Sequence, residues 1–257
     1  MGVTMPVASN TASCRRRCMP VTIMRPFLWL CCMLLLAPLA AQEQNVRPGI
    51  NRHYEQPDWQ HWVQVFENPQ RELYARRQAI IEASNVQPGM NVADIGAGTG
   101  LFTRLFAQRV APAGRVYAVD ISATFISNIL RSCHEHGIEN VAGIVNTDHE
   151  TGLPHNSIDL AFVANTYHHF EYPRSMLASI HEALRDDGRL VIIDFYRDPH
   201  ISTPWIIGHV RAGKDTVIRE INAAGFRLVA DRKVLASNYF LVFGKTATRP
   251  DPGDWRQ

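Results

Sequence analysis

Cysteine is scarce in this chain outside its first 41 residues. Four of the five cysteines, at positions 14, 18, 31 and 32, lie in that opening segment, so Cys133 is the one thiol in the rest of the chain. An intrachain disulfide within the rest is therefore excluded. Cys133 lies in a segment of helical periodicity, where we expect it to be a small apolar packing residue.

Acidic residues are missing from the first 41 residues, which contain four arginines, at positions 15, 16, 17 and 25. The apolar run Phe27–Ala37 follows the last arginine, and the small-residue run Ala37–Ala41 comes next. This order is typical of a secretory signal peptide. The segment from 27 to 41 is short for a transmembrane helix. A cleaved signal is therefore expected, with an uncleaved membrane anchor as the alternative.

An excess of basic charge is also missing from the rest of the chain. Without residues 1–41, 22 basic and 24 acidic side chains remain, which gives a net charge of −2. A basic surface for nucleic acid is therefore not expected. Apart from the adjacent His168 and His169, the histidines show no spacing typical of a metal site, so no metal is predicted.

The most informative segment that is present is Val92–Gly100. An apolar run ends in Asp94, and glycines follow at positions 96, 98 and 100. The run predicts a buried strand that turns sharply into a helix. Glycine removes the Cβ atoms that would keep a ligand away from such a turn and leaves backbone amides free to face it. This pattern favours a nucleotide-like ligand, provided that later strands supply further polar groups.

Acidic residues end or follow the next two predicted strands. Arg115–Asp120 ends in a carboxylate at the distance from the glycines at which dinucleotide folds place an acid for the ribose hydroxyls. Val141–Val145 is followed by Asp148. Two more strands are predicted at Ile158–Asn165 and Gly188–Phe195, with helical periodicity near residues 99–111, 122–136 and 173–186. This alternation predicts a parallel sheet with its ligand crevice at the carboxyl ends of the strands.

The end of the chain predicts an antiparallel strand. Phe226–Asp231 and Tyr239–Gly244 are separated by a loop too short for a parallel crossover, which needs about a dozen residues. The predicted fold is α/β: a Rossmann-like three-layer sandwich with a mostly parallel seven-stranded sheet and an antiparallel last strand. A dinucleotide dehydrogenase would instead continue with strand and helix units.

These features resemble the class I S-adenosylmethionine-dependent methyltransferases, close to the small-molecule group that includes the ubiquinone/menaquinone C-methyltransferases. The resemblance covers about residues 70–245. It rests on the glycine loop, Asp120, Asp148, the segment Asp159–Phe170, and the turn Leu184–Leu190, where aspartates replace the family's proline and first glycine. Arsenite methyltransferases also resemble this group, but they work through several cysteines. The single cysteine after residue 41 counts against that function.

The resemblance implies S-adenosylmethionine as the cofactor. It implies that Asp94 and the glycine loop hold the methionine and ribose portion, that Asp120 accepts hydrogen bonds from the ribose hydroxyls, and that Asp148 reaches the adenine amine. The full predicted cofactor set is Asp94, Gly96, Ala97, Gly98, Gly100, Asp120, Ile121, Asp148, His149 and Asn165.

Asn165–Phe170 follows the fourth predicted strand and is the expected substrate-side loop. Methylases of amides and of DNA amino groups carry prolines at this place, and the prolines are absent here. His168 and His169 are the candidate catalytic residues, because an imidazole can take a proton from an acceptor hydroxyl near neutral pH. His169 is the expected general base. The alternative is that both histidines shape the loop and the reaction depends on alignment alone.

Two other segments are predicted to wall the substrate pocket. One is an N-terminal lid ahead of a helix opened by Asn68-Pro69, with the aromatic residues Tyr54, Trp59, Trp62 and Phe66. The other is Pro204–Arg211, whose His209 and Arg211 suit a small, partly apolar acceptor with one polar or anionic group. The alternative for the first segment is that its aromatic residues are simply buried in the core. The alternative for the second is that it only connects two elements.

The predicted organisation is a leader or anchor at 1–41, the lid segment at 42–70, the methyltransferase domain at 71–245 and a tail at 246–257. The expected function is methyl transfer to a small-molecule acceptor by in-line displacement. An exported S-adenosylmethionine-binding protein without transferase activity is the alternative. The leader predicts export to the periplasm or membrane contact through residues 27–41, but the cofactor is made in the cytoplasm, so a cytoplasmic location stays open. The sequence determines neither the acceptor nor the oligomeric state.

Overall fold

Seven strands form one sheet in the computed structural model, which describes residues 43–247. The predicted leader and most of the predicted tail lie outside these residues. The strands are β1 (Val92–Ile95), β2 (Val116–Asp120), β3 (Val141–Val145), β4 (Ile158–Ala164), β5 (Leu184–Phe195), β6 (Phe226–Arg232) and β7 (Asn238–Lys245). Their order across the sheet is β3-β2-β1-β4-β5-β7-β6.

Helices separate the strands in the order that the periodicity predicts. In residues 43–247 they are α1 (Trp59–Phe66), α2 (Glu72–Ala75), α3 (Arg77–Ala83), α4 (Leu101–Val110), α5 (Ala123–Glu135), α6 (Pro173–Ala183), α7 (Pro204–His209) and α8 (Lys214–Ala223), with 3-10 turns at Arg52–Tyr54 and Tyr167–His169. None of these helices combines the length and apolar character needed to cross a bilayer.

The central strands are buried on both faces, which explains their continuous apolar sequences. In β4, Leu160 and Phe162 belong to a core that includes residues of α3 and α4, whereas Ala161 and Val163 belong to a second core with residues of α6 and α8. Successive side chains of a strand point to opposite faces, so one short run supplies both cores. The predicted three-layer α/β sandwich is confirmed.

The last strand runs antiparallel, as predicted. β7 lies between β5 and β6 and is antiparallel to both, while the other neighbouring pairs are parallel. Only five residues, 233–237, connect β6 to β7. A connection of that length can reverse the chain direction but cannot cross over to a parallel position.

The predicted boundaries are wrong in two places. Asn68 caps a turn, in which its Oδ1 atom accepts from the amide of Gln70, and the next helix begins only at Glu72. The segment predicted to be a lid contains a helix of its own, α1, whose N-cap Asp58 accepts hydrogen bonds from two backbone amides. The helix predicted near residues 173–186 ends at Ala183, because Leu184 already has extended backbone angles and starts β5.

Candidate active site

A cavity of about 520 Å³ lies at the carboxyl ends of the parallel strands. Its floor is formed by the segments that follow β1, β2, β3 and β4, and its other walls come from the N-terminal segment and α7. Of the predicted cofactor residues, the structure brings eight to this cavity: Asp94, Gly96, Ala97, Gly98, Asp120, Ile121, Asp148 and Asn165. His168 and His169 also line it.

The glycine loop needs glycine for two different reasons. Gly96 has a φ of +73°, and a Cβ there would lie 2.2 Å from Cγ2 of Thr166 in the substrate-side loop. Gly98 has a φ of +54°, and its amide donates to Asp120. Gly100 does not line the cavity, contrary to the prediction. A Cβ at Gly100 would meet Ile129 of α5 at 2.9 Å, so this glycine permits close helix packing.

Asp120 has a buried carboxylate with unused acceptor capacity. One oxygen accepts from the Gly98 amide and the other from the Ser122 amide, each at 2.9 Å. A carboxylate offers about four acceptor positions, so each oxygen can take a further hydrogen bond. Burial raises the pKa of Asp120 to about 6, against the lowering effect of these two amides. Donor groups of a ligand would stabilise its charged form.

Asp94 is a second buried acid at the same edge of the sheet. One of its oxygens accepts from the hydroxyl of Thr103 at 2.6 Å. Burial, together with the charge of Asp120, raises the pKa of Asp94 to about 7. Two partly compensated carboxylates at one end of a cavity favour a ligand with cationic or hydrogen-bond-donating groups.

Arg71 lies at the same cavity and was missed by the sequence analysis. Its guanidinium donates to the carbonyl of Phe66 at 3.2 Å and lies over the Phe66 ring. Burial lowers the pKa of Arg71 to about 10. The residue adds a buried positive group, which suits a ligand carboxylate. It is the first residue after the predicted lid segment, and only that position could have marked it.

Asn165 carries the clearest sign of an absent partner. Both polar atoms of its side-chain amide are buried and have no hydrogen-bond partner in the described part of the chain. The residue has a φ of +51°, a left-handed backbone conformation that is uncommon for residues other than glycine. Buried polar groups are nearly always paired, so this amide points to a ligand with both donor and acceptor atoms.

Of the two cofactor residues predicted in the loop after β3, only one lies at the cavity. Asp148 lines the cavity, and one of its oxygens lies 2.6 Å from Nδ1 of His149. His149 itself does not line the cavity, contrary to the prediction. Its ring instead stacks on Tyr172, with centroids 3.8 Å apart.

At the other end of the cavity, the structure brings together His168, His169 and His209. One ring nitrogen from each lies within 4.8 Å of the other two. The Nδ1 atom of His168 is 2.7 Å from a carboxylate oxygen of the buried Asp194, whose other oxygen accepts from the His168 amide. Asp194 is the last residue but one of β5, so an acid near the end of a strand, the signal that singled out Asp120, also marked this residue. The sequence analysis gave it no role.

His169 is the most isolated of these three histidines. Its Nδ1 atom is buried without a hydrogen-bond partner among residues 43–247, and its ring lies perpendicular to that of Tyr54. Burial, with smaller effects of His168 and His209, lowers the pKa of His169 to about 2. An imidazole with so low a pKa is a weak proton acceptor. The general-base role of His169 stays a prediction, and this environment does not favour it.

The predicted pocket walls are only partly formed as expected. Tyr54, Trp62 and Phe66 line the cavity in a tilted aromatic row with successive centroids 4.8 Å apart. Trp59 packs instead against Phe125 of α5. The prediction for Arg211 is wrong: it lies outside the cavity lining and pairs with Glu220 through two hydrogen bonds of 2.8 and 2.7 Å.

Comparison with known proteins agrees with this architecture. Residues 93–192 match the family described as a methyltransferase domain. The ubiquinone/menaquinone biosynthesis C-methyltransferase UbiE of Ectopseudomonas mendocina is 32% identical over 116 residues, which is 45% of this chain and 45% of that protein. The chain therefore matches about half the length of such curated relatives.

Solved structures share the fold at lower identity. An S-adenosylmethionine-dependent methyltransferase from Aquifex aeolicus superposes with a TM-score of 0.65 at 21% identity, over 73% of this chain and 98% of that one. The 1,6-didemethyltoxoflavin-N1-methyltransferase of Burkholderia thailandensis, solved with S-adenosylhomocysteine, gives 0.55 at 23% identity, over 73% and 84%. Residues 93–192 are thus similar to a methyltransferase domain, and the chain has the fold of these S-adenosylmethionine-dependent methyltransferases.

Proposed function

We propose that this protein transfers a methyl group from S-adenosylmethionine to a small-molecule acceptor. The observation that carries the proposal is the division of one cavity into two chemically different ends. Asp94, Asp120 and the glycine loop form one end, and the histidines of the substrate-side loop form the other. A cofactor and an acceptor can therefore meet within a single cavity.

The residues at the first end fit this cofactor. Asp120 retains acceptor capacity for ribose hydroxyls, because each of its oxygens carries one protein donor. Arg71 suits the methionine carboxylate, and Asp94 suits its ammonium group. The unpaired amide of Asn165 supplies a donor and an acceptor beside them. When bound, the cofactor supplies an electrophilic methyl group on a sulfonium.

The second end fits an acceptor of modest size. The whole cavity has a volume of about 520 Å³ and must hold both reactants. Its walls there combine aromatic side chains, among them Phe195 and Trp205, with a few polar groups. Such a surface suits a small, largely apolar molecule with one polar reacting group. Among the similar proteins, a quinone-pathway C-methyltransferase and a toxoflavin-precursor N-methyltransferase also bear the names of small-molecule enzymes.

The main task of the protein in this reaction is to align the acceptor with the methyl group. In an in-line displacement the acceptor atom must approach the methyl group opposite the sulfonium, with water excluded. The aromatic row of the predicted lid, Tyr54, Trp62 and Phe66, lines the cavity and can exclude water from it. Because His169 is a weak proton acceptor, we favour an acceptor that is nucleophilic near neutral pH, such as a thiol, a quinol or an activated phenol.

The test is calorimetry of the full chain with S-adenosylmethionine, followed by a methyl-transfer assay over phenols, quinols, thiols and amines. We expect saturable one-to-one binding and transfer to at least one class. Asp120→Asn removes a charged acceptor, so it should weaken cofactor binding by about 1.5–3 kcal/mol, or about 10- to 150-fold in Kd.

Asp186→Asn is the matched control, because the Asp186 side chain is fully exposed and lies outside the cavity lining. Circular dichroism would establish that both variants fold. Equal cofactor affinity in the two variants would contradict the ribose role of Asp120. Tight cofactor binding without transfer to any acceptor in the panel would favour a binding protein without transferase activity.

A further inference from the structure

We infer that His168, His169 and His209 form a binding site for a divalent transition-metal ion that prefers imidazole ligands. The three residues come from two separate segments, the 3-10 turn after β4 and the end of α7, and all three line the cavity. One ring nitrogen of each lies within 4.8 Å of the other two. Three convergent imidazoles are a common protein ligand set for zinc.

The distances are compatible with closure around an ion. Three nitrogens at about 2.0–2.1 Å from a tetrahedral ion lie about 3.4 Å apart. The limit of 4.8 Å exceeds this spacing by about 1.4 Å. His209 is only partly buried and ends the short helix α7, so rotation of its side chain can supply the approach.

The surroundings of His168 match those of a metal ligand. Its Nδ1 atom is 2.7 Å from an oxygen of Asp194, whose side chain is 1% exposed. That contact leaves Nε2 as the ring nitrogen available for coordination. Metal-bound histidines commonly engage a carboxylate through their second nitrogen, which fixes the ring orientation and raises ligand basicity.

His169 supplies independent support. Its Nδ1 atom is buried without a partner among the described residues, a costly arrangement that coordination would relieve.

The positive charge of Arg47 disfavours binding of a cation at this site, and the negative charge of Asp194 favours it. The guanidinium of Arg47 donates to the carbonyl of Gly208, the residue before His209. The carboxylate of Asp194 lies beside the proposed ligands, where it contacts His168. With only three protein ligands, a fourth coordination position stays open. On the proposed function, that position favours acceptors with an oxygen or sulfur ligand atom, and the two loop histidines act as ligands instead of proton acceptors.

The test is calorimetric titration of the untagged full chain, stripped with a chelator, with Zn²⁺ alone. We expect one-to-one binding, and with Co²⁺ the visible absorption bands of a four- or five-coordinate ion. Loss of a residue that supports a metal ligand weakens metal binding by about 10- to 100-fold, and we expect a loss of this size for Asp194→Asn. His209→Ala removes a ligand itself, so it should weaken Zn²⁺ binding by more than this.

His155→Ala is the matched control, since this exposed histidine lies in the turn before β4 and outside the cavity lining. It should bind Zn²⁺ as the unaltered chain does. Absence of one-to-one binding, or equal Zn²⁺ affinity in His209→Ala and His155→Ala, would overturn the site. The measurement contains neither cofactor nor acceptor, so its result is independent of methyl transfer.

Discussion

At the scale of single residues, the site depends on glycines and acids whose roles differ although their sequence pattern is uniform. Gly96 and Gly98 allow the loop to form the cavity wall, whereas Gly100 faces α5. Asp94 and Asp120 line the cavity as buried acids, and Asp194 serves the histidine end. The role of each glycine or aspartate therefore depends on the residues that it contacts and not on its type alone.

Replacement of Gly96 should expose the steric part of its role. Gly96→Ala places a methyl group 2.2 Å from Thr166, so the loop after β4 must shift. Gly137→Ala is the control, because Gly137 has a similar φ of +67° but nothing within 4 Å of its Cβ position. The left-handed backbone alone costs about 1–2 kcal/mol.

We therefore expect Gly137→Ala to lose about 1–2 kcal/mol of unfolding free energy and Gly96→Ala to lose more, with weaker S-adenosylmethionine binding in Gly96→Ala alone. Urea denaturation and calorimetry measure the two quantities. Equal losses of stability with unchanged cofactor affinity would show that contact with Thr166 is unimportant.

At the scale of elements, helix α1 of the predicted lid is weakly anchored. None of its residues is buried, although several of them line the cavity. Its packing rests on aromatic contacts, Trp59 with Phe125 and Trp62 with Tyr54 and Phe66. By contrast, β4 has buried residues on both of its faces. Local opening of α1 should therefore need much less free energy than opening of the sheet.

Cofactor binding should slow hydrogen exchange in α1. A ligand that binds only the closed lid stabilises it by up to about 2.7 kcal/mol at 100 times its Kd, which slows exchange by up to about 100-fold. Hydrogen exchange with mass spectrometry, with and without S-adenosylhomocysteine, measures this effect. Peptides of β4 provide the internal comparison. If α1 and β4 gained the same protection, stabilisation would be global and α1 would not act as a lid.

At the scale of the whole molecule, the two buried acids at the cavity oppose folding near neutral pH. Their pKa values, about 7 for Asp94 and about 6 for Asp120, exceed the value of about 3.9 in an unfolded chain. The folded state therefore holds more protons on them, so their contribution to stability falls as the pH rises from about 4 to about 7. This cost is typical of a binding site prepared for a ligand.

Asp94→Asn should relieve that cost. The amide can still accept the hydrogen bond of Thr103 but carries no charge to desolvate. We expect its unfolding free energy, relative to the unaltered chain, to rise between about pH 4 and pH 7, by about 1.4 kcal/mol for each unit of pKa shift. Denaturation at a series of pH values measures the difference, and Asp186→Asn gives the baseline for removal of an exposed charge. A difference for Asp94→Asn that stays constant over this range would contradict the raised pKa.

The sequence by itself determined the sheet and one end of the site. The strand pattern, the glycine loop and the strand-ending acids are local signals, because side-chain period and backbone freedom act over a few residues. Parallel strands align their carboxyl ends, so residues at or just after the ends of β1, β2 and β4 had to meet. Asp94, Asp120 and Asn165 accordingly lie at the cavity, as predicted.

Only the tertiary structure decided the other end of the site. His209 lies 40 residues beyond His169, and which of the intervening loops folds over the sheet edge depends on packing that no short pattern encodes. The same packing brought Arg71 to the cavity, kept Arg211 and His149 out of it, and turned Gly100 towards α5. Side-chain direction and loop docking are settled by contacts between segments distant in the chain, so the sequence could mark these residues but not assign them to the site.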